Sequence, residues 1–243
     1  MNLDAEPLST EVLEALSQAS TATITTQLFA RGLRNTFLAG VGPLNPTAAE
    51  FVAEAFTLRY IPAREDLDVA EVFNDYDHPQ RAAIEACPPD HVLVMDCRQQ
   101  GRAASAGEIL VTRLMQRGVA GVVTDGALRD SPAIARREFP VFSAGVSATT
   151  NLAQHHAVDI QVPIGCAEVP VFPGDVLRGD AEGVVCIPRE LAAEIAYPAR
   201  DQEHREVFIL DKVARGAPLR GTYPPDNDTL AEYESWRTRD ERS

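Results

Sequence analysis

The sequence predicts a single α/β domain in which a central parallel βαβαβ unit is followed by antiparallel strands and a C-terminal helical tail. Three observations predict this class. The chain has 243 residues, 45% of them hydrophobic, which is enough to bury one sizeable core. Short apolar runs alternate with helical patterns between residues 91 and 145, and connections of that kind indicate a parallel sheet with right-handed crossovers. After residue 158, alternating runs separated by turns are typical of antiparallel strands.

The first part of the chain, residues 1–50, is predicted to form a helix and loops that pack on the core. The segment STEVLEALSQAS has Ser9 or Thr10 available as N-cap and places its apolar residues on one helical face. Glycines and prolines then interrupt regular structure. The segment from Glu50 to Pro62 is ambiguous by period, although its alternating end favours a strand.

The central segment contains the predicted parallel unit. His91–Asp96 is a short apolar run of the kind found in a strand covered on both faces. A helix is predicted to begin at Ser105 and to end at Gly118. The second strand is predicted over Val119–Thr124. A short helix, with Ser131 as N-cap and proline at the first helical position, then leads to the third strand, PVFSAG.

The end of the chain, residues 189–243, is predicted to form helices and a tail beyond a core that spans residues 51–188. A helix is predicted from Pro188 to about Arg215, with a break near Pro198, because proline lacks the amide hydrogen that a helix bond needs. The tail is rich in turns and then amphipathic, so we expect it to pack across a neighbour, at subunit contacts.

Composition excludes several classes of partner. A net charge of -14 would repel nucleic-acid phosphates and anionic membranes. The four cysteines have no CxxC spacing, which predicts reduced, buried thiols rather than a disulfide framework or a zinc site. The first ten residues lack a basic segment followed by an apolar run, so we expect no export signal. The longest uncharged stretch is too polar for a lipid-facing helix, and we expect a cytoplasmic protein without a membrane span.

Three charged residues are predicted to meet at one edge of the parallel sheet. The carboxyl ends of parallel strands share an edge, and the loops that follow them converge where ligands bind. Glu108 lies in the first turn of the helix that follows the first strand, whereas Arg129 and Asp130 follow the second strand. We therefore expect these three side chains in one pocket.

Each of these residues also has a structural interpretation, which is favoured when it is considered alone. Ser105 and Glu108 fit the S-x-x-E capping box, in which the glutamate bonds the N-cap amide. Asp130 precedes a helix, and the positive end of that helix dipole would stabilise its negative charge. Arg129 would be a surface cation in a weak ion pair.

Considered together, these residues suit the binding of a 2-oxo acid beside a divalent cation. A guanidinium fork matches a carboxylate, and the free amides of Glu108, Ile109 and Leu110 at a helix N-terminus would form a second anion site. Two carboxylates provide hard oxygen ligands for Mg²⁺, which keeps several waters. Such a metal can chelate the keto and carboxylate oxygens and stabilise an enolate.

The spacing of these residues resembles a known family. Gly107-Glu108, twenty intervening residues and Arg129-Asp130 resemble the acidic-x20-Arg-Asp motif of divalent-metal pyruvate aldolases of the 4-hydroxy-4-methyl-2-oxoglutarate / 4-carboxy-4-hydroxy-2-oxoadipate type. The same fold family includes the RraA regulators of ribonuclease E. The blocks GVAGVVTDGALRD, FPVFSAG and VFPGDVLRGDAEGVVCIP extend the resemblance over roughly residues 91–188. It is weak before residue 51 and weaker in the tail.

The resemblance implies a fold, an assembly and a set of roles. The fold is a swivelling β/β/α domain, assembled as a homotrimer or a hexamer with sites near subunit boundaries. Asp130 would bind Mg²⁺ or Mn²⁺ directly, Glu108 would hold it through water, and Arg129 would bind the pyruvoyl carboxylate and oxygen. Gly107 and the amides of Ile109 and Leu110 would complete the substrate-binding wall. Glu108 stands where these aldolases usually have aspartate, and the acidic residue that they take from an adjacent subunit is unassigned here.

The resulting hypothesis is a metal-dependent carbon-carbon lyase that cleaves a 4-hydroxy-2-oxo acid and releases pyruvate through a metal-stabilised enolate. A metal-bound water positioned by Glu108 would take the 4-hydroxyl proton. Oxaloacetate decarboxylation is expected as a side or main activity, and dehydration of a 3-deoxy-2-oxo sugar acid is a variant. The alternatives are a non-catalytic RraA-type regulator that binds ribonuclease E, against which both acidic residues argue, and a structural homo-oligomer with a vestigial pocket.

The remaining polar residues are predicted to be structural. His155 and His156 are adjacent and would face opposite sides of a strand, which disfavours a metal site built on both. Asp175 and Asp180 are most simply turn formers. The sequence contains no phosphate loop and no nucleophile elbow.

Overall fold

The structure is a computed structural model in which residues 8–240 are described. The prediction on an export signal depends largely on residues 1–7, which lie outside the described residues. The helices are α1 (Thr10–Ser17), α2 (Thr21–Ala30), α3 (Pro79–Ala86), α4 (Glu108–Gln116), α5 (Ser131–Ile134), α6 (Arg189–Ala214) and α7 (Asn227–Asp240). The strands are β1 (Gly42–Pro43), β2 (Phe51–Pro62), β3 (His91–Asp96), β4 (Ala104–Ala106), β5 (Gly121–Leu128), β6 (Val141–Val146), β7 (His155–Ile160), β8 (Ile164–Cys166), β9 (Val169–Val171), β10 (Val176–Gly179) and β11 (Val184–Ile187).

One mixed sheet organises the fold, with the strand order β1-β6-β5-β3-β2-β10-β11. The four central strands, β6, β5, β3 and β2, run parallel to one another. Strands β1, β7, β10 and β11 pair antiparallel, and β8 and β9 form a separate hairpin. The predicted parallel unit and the antiparallel strands that follow it are both confirmed.

The centre of the sheet is covered on both faces, as its apolar runs predict. Alternate residues of β3 face opposite sides, so that Leu93 and Met95 pack in one core and Val92 and Val94 in another. The first core lies under α3 and α4, and the second contains the β8–β9 hairpin. Burial on both faces fixes the positions at which these strands end, and therefore the positions of the loops that follow them.

The predicted N-terminal helix is confirmed as α1, with Ser9 as the N-cap whose hydroxyl accepts from the Val12 amide. A second helix, α2, was not predicted. Its sequence is rich in threonine, which has low helix propensity because its β-branched side chain loses freedom against the preceding turn. Helix α2 forms because Ser20 caps it and because Ile24 and Leu28 are fully buried against α6 and the sheet.

Three predicted boundaries are wrong. Helix α4 begins at Glu108 rather than Ser105, because residues 104–106 form β4 instead. Strand β5 continues to Leu128 rather than ending at Thr124, since β4 and β6 both pair with its second half. Helix α6 is continuous through Pro198, because residues on either side of the proline are buried in one core with α1 and α2.

The C-terminal helix packs on its own chain. Tyr233 and Trp236 of α7 form an aromatic cluster with Phe208 and His204 of α6. A contact of this tail with another subunit stays a prediction. No helix within the described part of the chain combines the length and apolarity needed to cross a membrane.

The four cysteines are free and buried, as predicted. Burial raises the pKa of both Cys87 and Cys97 to about 12, so that neither forms a thiolate near neutral pH. The thiols therefore act as small apolar side chains in the core.

Candidate active site

The short strand β4 brings the two halves of the predicted site together. It pairs parallel with the end of β5, with Ala104 opposite Ala127 and Ala106 opposite Leu128. The Arg129 amide extends the ladder by donating to the Ala106 carbonyl at 3.1 Å. The pairing is irregular between Ala104 and Ala106, but both strands end at the same level of the sheet. The residues that follow them therefore lie side by side, Gly107 and Glu108 after one strand and Arg129 and Asp130 after the other.

Asp130 makes the direct connection between the two segments. Its Oδ2 accepts from the Glu108 amide at 3.2 Å and lies 3.5 Å from Arg129 Nε. The carboxylate makes no capping bond to the helix that it precedes, α5, so that it contacts the N-terminus of α4 instead. Asp130 also has a left-handed backbone, with φ of 57°, which is uncommon outside glycine but tolerated best by Asn and Asp. Such conformations cluster at functional sites.

A cavity of about 440 Å³ opens beside this contact, within the size range of small-molecule sites. Five of the six predicted site residues line it: Gly107, Ile109, Leu110, Arg129 and Asp130. The side chains of Arg129 and Asp130 are each nearly half exposed, which leaves polar atoms of both open to a ligand. The structure therefore brings the predicted residues together, whereas their chemical roles stay predictions.

Glu108 differs from the others. Its amide lies in the site, but its side chain is absent from the cavity lining. The carboxylate is held by Arg137, whose Nη2 donates to Glu108 Oε1 at 2.5 Å. Arg137 lies just after α5 and beside Arg136. Nothing in this local sequence indicates a contact with Glu108. The role predicted for Glu108 is to hold a water in the cavity, and Arg137 is the residue that fixes the position of the Glu108 carboxylate beside it.

The capping-box interpretation of Ser105 and Glu108 is wrong. Gly107 is the N-cap of α4, and Ser105 is fully buried within β4. The Ser105 hydroxyl donates to the Ala127 carbonyl at 3.0 Å, and its own carbonyl accepts from Gln80 Nε2 at 2.5 Å. The serine therefore joins β4 to β5 and to the start of α3. The N-cap predicted at Ser131 is likewise displaced by one residue, to Asp130.

Gly107 is required for space rather than for backbone conformation, because its φ of -132° is open to any residue. A Cβ at this position would lie 2.7 Å from Asp130 Oδ2 and 3.0 Å from Arg129 Nε. We expect Gly107→Ala to displace both side chains. For any reaction that takes place in this cavity, kcat/KM should fall by about tenfold or more, since small misplacements are costly in catalysis. The unfolding temperature of the variant should stay within a few degrees of that of the wild type, because the partly exposed side chains of Arg129 and Asp130 are able to shift away from the added methyl group.

The matched control for this substitution is Gly145→Ala, where an added Cβ meets no atom within 4 Å. It should leave both kcat/KM and the unfolding temperature unchanged. Equal activity of the two alanine variants would show that the close approach at Gly107 has no functional importance.

The residues at the cavity fit a divalent cation of the magnesium type. Asp130 presents one partly exposed carboxylate there, and Mg²⁺ needs only one or two carboxylates because it keeps several waters. Within residues 8–240, no three histidine, cysteine, aspartate or glutamate side chains are grouped so that they alone would hold a metal. An ion at Asp130 would therefore complete its coordination with water and substrate oxygens.

The other predicted structural residues have defined partners. His155 is buried with Nε2 3.2 Å from the Ala103 carbonyl, whereas Nδ1 of its neighbour His156 lies 2.8 Å from Asp68. Asp175 accepts from the Phe172 and Arg189 amides, and Asp180 accepts from the Thr21 and Glu182 amides. Both aspartates hold turns and anchor a helix N-terminus, as the turn interpretation indicates.

The fold and the cavity define a mixed α/β protein with a candidate site at the carboxyl edge of a partly parallel sheet. The chain matches the model of the RraA-like family, described as Aldolase/RraA, over residues 21–186. The match covers more than half of the chain, and the protein therefore belongs to the RraA-like family, which confirms the resemblance drawn from its motifs.

Similar proteins include aldolases. A putative 4-hydroxy-4-methyl-2-oxoglutarate aldolase of Halalkalibacterium halodurans is 36% identical over 137 residues, which are 55% of this chain and 64% of that protein. A 4-hydroxy-4-methyl-2-oxoglutarate aldolase of Thermus thermophilus is 31% identical over 109 residues, 44% of this chain and 65% of that protein. The chain thus spans just under two thirds of the length of these two relatives.

Solved structures confirm the fold class. An uncharacterized protein from Pseudomonas syringae superposes with a TM-score of 0.78 at 25% identity, covering 92% of this chain and 97% of that one. An unusual member of the RNase ES inhibitor RraA family, from Streptomyces coelicolor, gives a TM-score of 0.73 at 28% identity, with 84% and 98% covered. The family thus includes proteins named as aldolases and proteins named as RNase inhibitors.

Proposed function

We propose that this protein is a divalent-metal-dependent lyase that cleaves a 4-hydroxy-2-oxo acid and releases pyruvate. The observation that supports the proposal most strongly is the contact of Asp130 with both Arg129 and the first amide of α4 at the wall of one cavity. The similarity to proteins named 4-hydroxy-4-methyl-2-oxoglutarate aldolase supports the same class of reaction. Oxaloacetate decarboxylation belongs to the proposal, because it produces pyruvate by loss of CO₂ from the equivalent carbon.

Substrate binding is assigned to Arg129 and to the start of α4. The Arg129 guanidinium would bind the carboxylate of the 2-oxo acid through its planar fork. The first amides of a helix have no acceptor within it, so those of Ile109 and Leu110 are available to the same anion. Gly107 leaves the space that lets substrate, guanidinium and carboxylate approach closely.

Asp130 would hold Mg²⁺ or Mn²⁺. When bound, the ion would supply Lewis-acid stabilisation of the negative charge that develops on the 2-oxo oxygen. In the cleavage, the 4-hydroxyl loses its proton, the C3–C4 bond breaks, and C3 gains a proton to become the methyl group of pyruvate. Arg129 and the α4 amides hold the pyruvoyl end in place during this exchange of protons, and Glu108 is proposed to position the group that moves them.

Arg137 is expected to act as a positioning residue through Glu108. We expect Arg137→Gln to lower kcat about tenfold, the range found for partners that orient a catalytic or ligating group, with KM unchanged because Arg137 does not line the cavity. Steady-state kinetics would check this split, and Arg137→Lys should restore part of kcat. The control is Arg136→Gln, which removes an exposed neighbouring arginine. A rise in KM with unchanged kcat would assign Arg137 to substrate binding instead.

The direct test of the proposed function is pyruvate release from 4-hydroxy-4-methyl-2-oxoglutarate and from oxaloacetate. The protein would be stripped with a chelator and assayed before and after addition of Mg²⁺ or Mn²⁺. We expect turnover only after the metal is restored. Failure to release pyruvate from either substrate with any divalent ion would reject the lyase.

A second candidate, a non-catalytic RraA-type regulator that binds ribonuclease E, is favoured by the absence of the Glu108 side chain from the cavity lining. Similarity to an RNase ES inhibitor family member supports the same candidate. Tight association with ribonuclease E in a protein that releases no pyruvate would establish it.

A further inference from the structure

Arg81 lies in the wall of the candidate cavity and has no partner of its own. Within residues 8–240, its side chain makes no hydrogen bond or ion pair. It is partly buried and lines the cavity with Phe73, Gln80, Thr150 and Asn151, a group separate from the predicted site residues. A guanidinium that is removed from solvent without a carboxylate is costly, because burial of a charge needs compensation.

The position of Arg81 in its helix makes the missing partner more significant. Arg81 is the third residue of α3, and the first turn of that helix contains no acidic residue. Cations destabilise the positive end of a helix dipole, whereas anions stabilise it. The start of α3 is fixed against the cavity floor, because Gln80 Nε2 donates to the Ser105 carbonyl. An anion bound here would therefore be stabilised by both the guanidinium and the helix N-terminus.

Asn151 provides an independent observation. The residue is 7% exposed and lines the same cavity, yet its side-chain Nδ2 has no hydrogen-bond partner among the described residues. Buried amide donors are nearly always paired, so that an unpaired donor at a cavity wall indicates an acceptor supplied by a ligand. Arg81 and Asn151 thus both require an acceptor with lone pairs.

The charge of the cavity agrees with this requirement. Its lining contains two guanidinium groups, Arg81 and Arg129, but only one carboxylate, Asp130. This excess of cations stands out in a chain whose net charge is -14. A 2-oxo acid with a single carboxylate would satisfy Arg129 alone.

We infer that Arg81 is a specificity-determining residue that binds a second carboxylate, at the end of the substrate opposite the pyruvoyl group, with Asn151 donating to the same anion. The inference rests on the proposed function, since it takes Arg129 to bind the 2-oxo acid end. Arg81 would favour substrates that end in a carboxylate over those that end in a methyl group, because only a carboxylate forms an ion pair with the guanidinium.

The test uses two ligands of equal length that differ at one end, 2-oxoglutarate and 2-oxopentanoate. Isothermal titration calorimetry in Mg²⁺ would measure the affinity of each for the wild-type protein, Arg81→Gln and Arg129→Ala. The wild type should bind 2-oxoglutarate about tenfold or more tightly than 2-oxopentanoate, the factor that one charged hydrogen bond supplies. Arg81→Gln should lose this preference and bind 2-oxopentanoate with the affinity of the wild type. Arg129→Ala should bind both ligands more weakly.

Arg220→Gln is the matched control, because it removes the same charge from an exposed position in the tail, away from the cavity. It should keep the full preference, and Arg81→Lys should keep part of it. Equal binding of the two ligands by the wild type, or a preference that survives in Arg81→Gln, would overturn the inference and leave the proposed function standing. Failure of the wild type to bind either ligand would overturn both.

Discussion

Replacing Arg129 or Asp130 with alanine is expected to lower kcat/KM for cleavage of a 4-hydroxy-2-oxo acid by about a thousandfold. Loss of Arg129 removes the charged fork proposed to bind the pyruvoyl carboxylate, and loss of Asp130 removes the only carboxylate in the cavity lining. Groups that stabilise developing charge directly are each worth about 10²–10³ in rate. Pyruvate release, followed in each variant at saturating Mg²⁺, would measure the effect.

Two further variants make this prediction specific. Arg129→Lys should recover little activity, because an ammonium group lacks the planar fork of the guanidinium. Arg136→Ala, at an exposed site outside the cavity, should behave as the wild type. Arg129→Ala should lose little stability, because this side chain is nearly half exposed. Asp130→Ala should lose about 1–2 kcal/mol, because alanine adopts the left-handed backbone of this position less readily than aspartate. Activity within tenfold of the wild type in Asp130→Ala would contradict the assignment.

The largest loss of stability is expected at Asp125, a carboxylate that is 1% exposed in the middle of β5. Its Oδ1 accepts from the Cys97 amide at 2.6 Å, and its Oδ2 accepts from the Gln99 and Ala167 amides at 3.0 and 3.1 Å. Burial raises the pKa of this carboxyl, although the three amides oppose the rise. Asp125 therefore ties the loop after β3 and the turn between β8 and β9 to the sheet.

We expect Asp125→Ala to lower the free energy of unfolding by about 3 kcal/mol or more, because each buried donor left unpaired costs about 1–3 kcal/mol. For a chain of this size the midpoint of thermal unfolding should fall by roughly 6–12 °C. Calorimetry or circular dichroism would measure the shift. Asp211→Ala is the control, because the Asp211 side chain makes an exposed ion pair with Arg215 at the end of α6, worth about 1 kcal/mol at most. Equal shifts in the two variants would show that the Asp125 network does not support the fold.

The core of the fold could be predicted because its signals are local. The apolar runs of β3 and β6 and the stripe of α4 each reflect burial that the residues themselves require. Parallel pairing then places the loop residues after β3 and β5 at one edge, which is why Glu108 and Asp130 were expected close together. The structure agrees, since the Glu108 amide lies 3.2 Å from the Asp130 carboxylate.

The details that sequence missed depend on contacts between distant segments. Strand β4 has only three residues and forms by pairing with the end of β5. A segment this short has no hydrophobic pattern from which a strand could be predicted. Local rules predict that α6 breaks at Pro198. The helix continues because its residues before and after the proline are buried against α1 and α2. Arg137 and Arg81 were missed for the same reason. Whether an arginine pairs with a carboxylate or lacks a partner is decided by residues that are far away in the chain.

The central claim is that Arg129, Asp130 and a divalent cation together allow a proton to leave and return at C3 of pyruvate. The most direct measurement is exchange of the pyruvate methyl protons for deuterium, followed by NMR in D₂O with and without Mg²⁺. We expect exchange in the wild type that requires the metal, stops on chelation, and is lost in Asp130→Ala. Absence of exchange with every divalent ion, or exchange of equal rate in Asp130→Ala, would contradict the account.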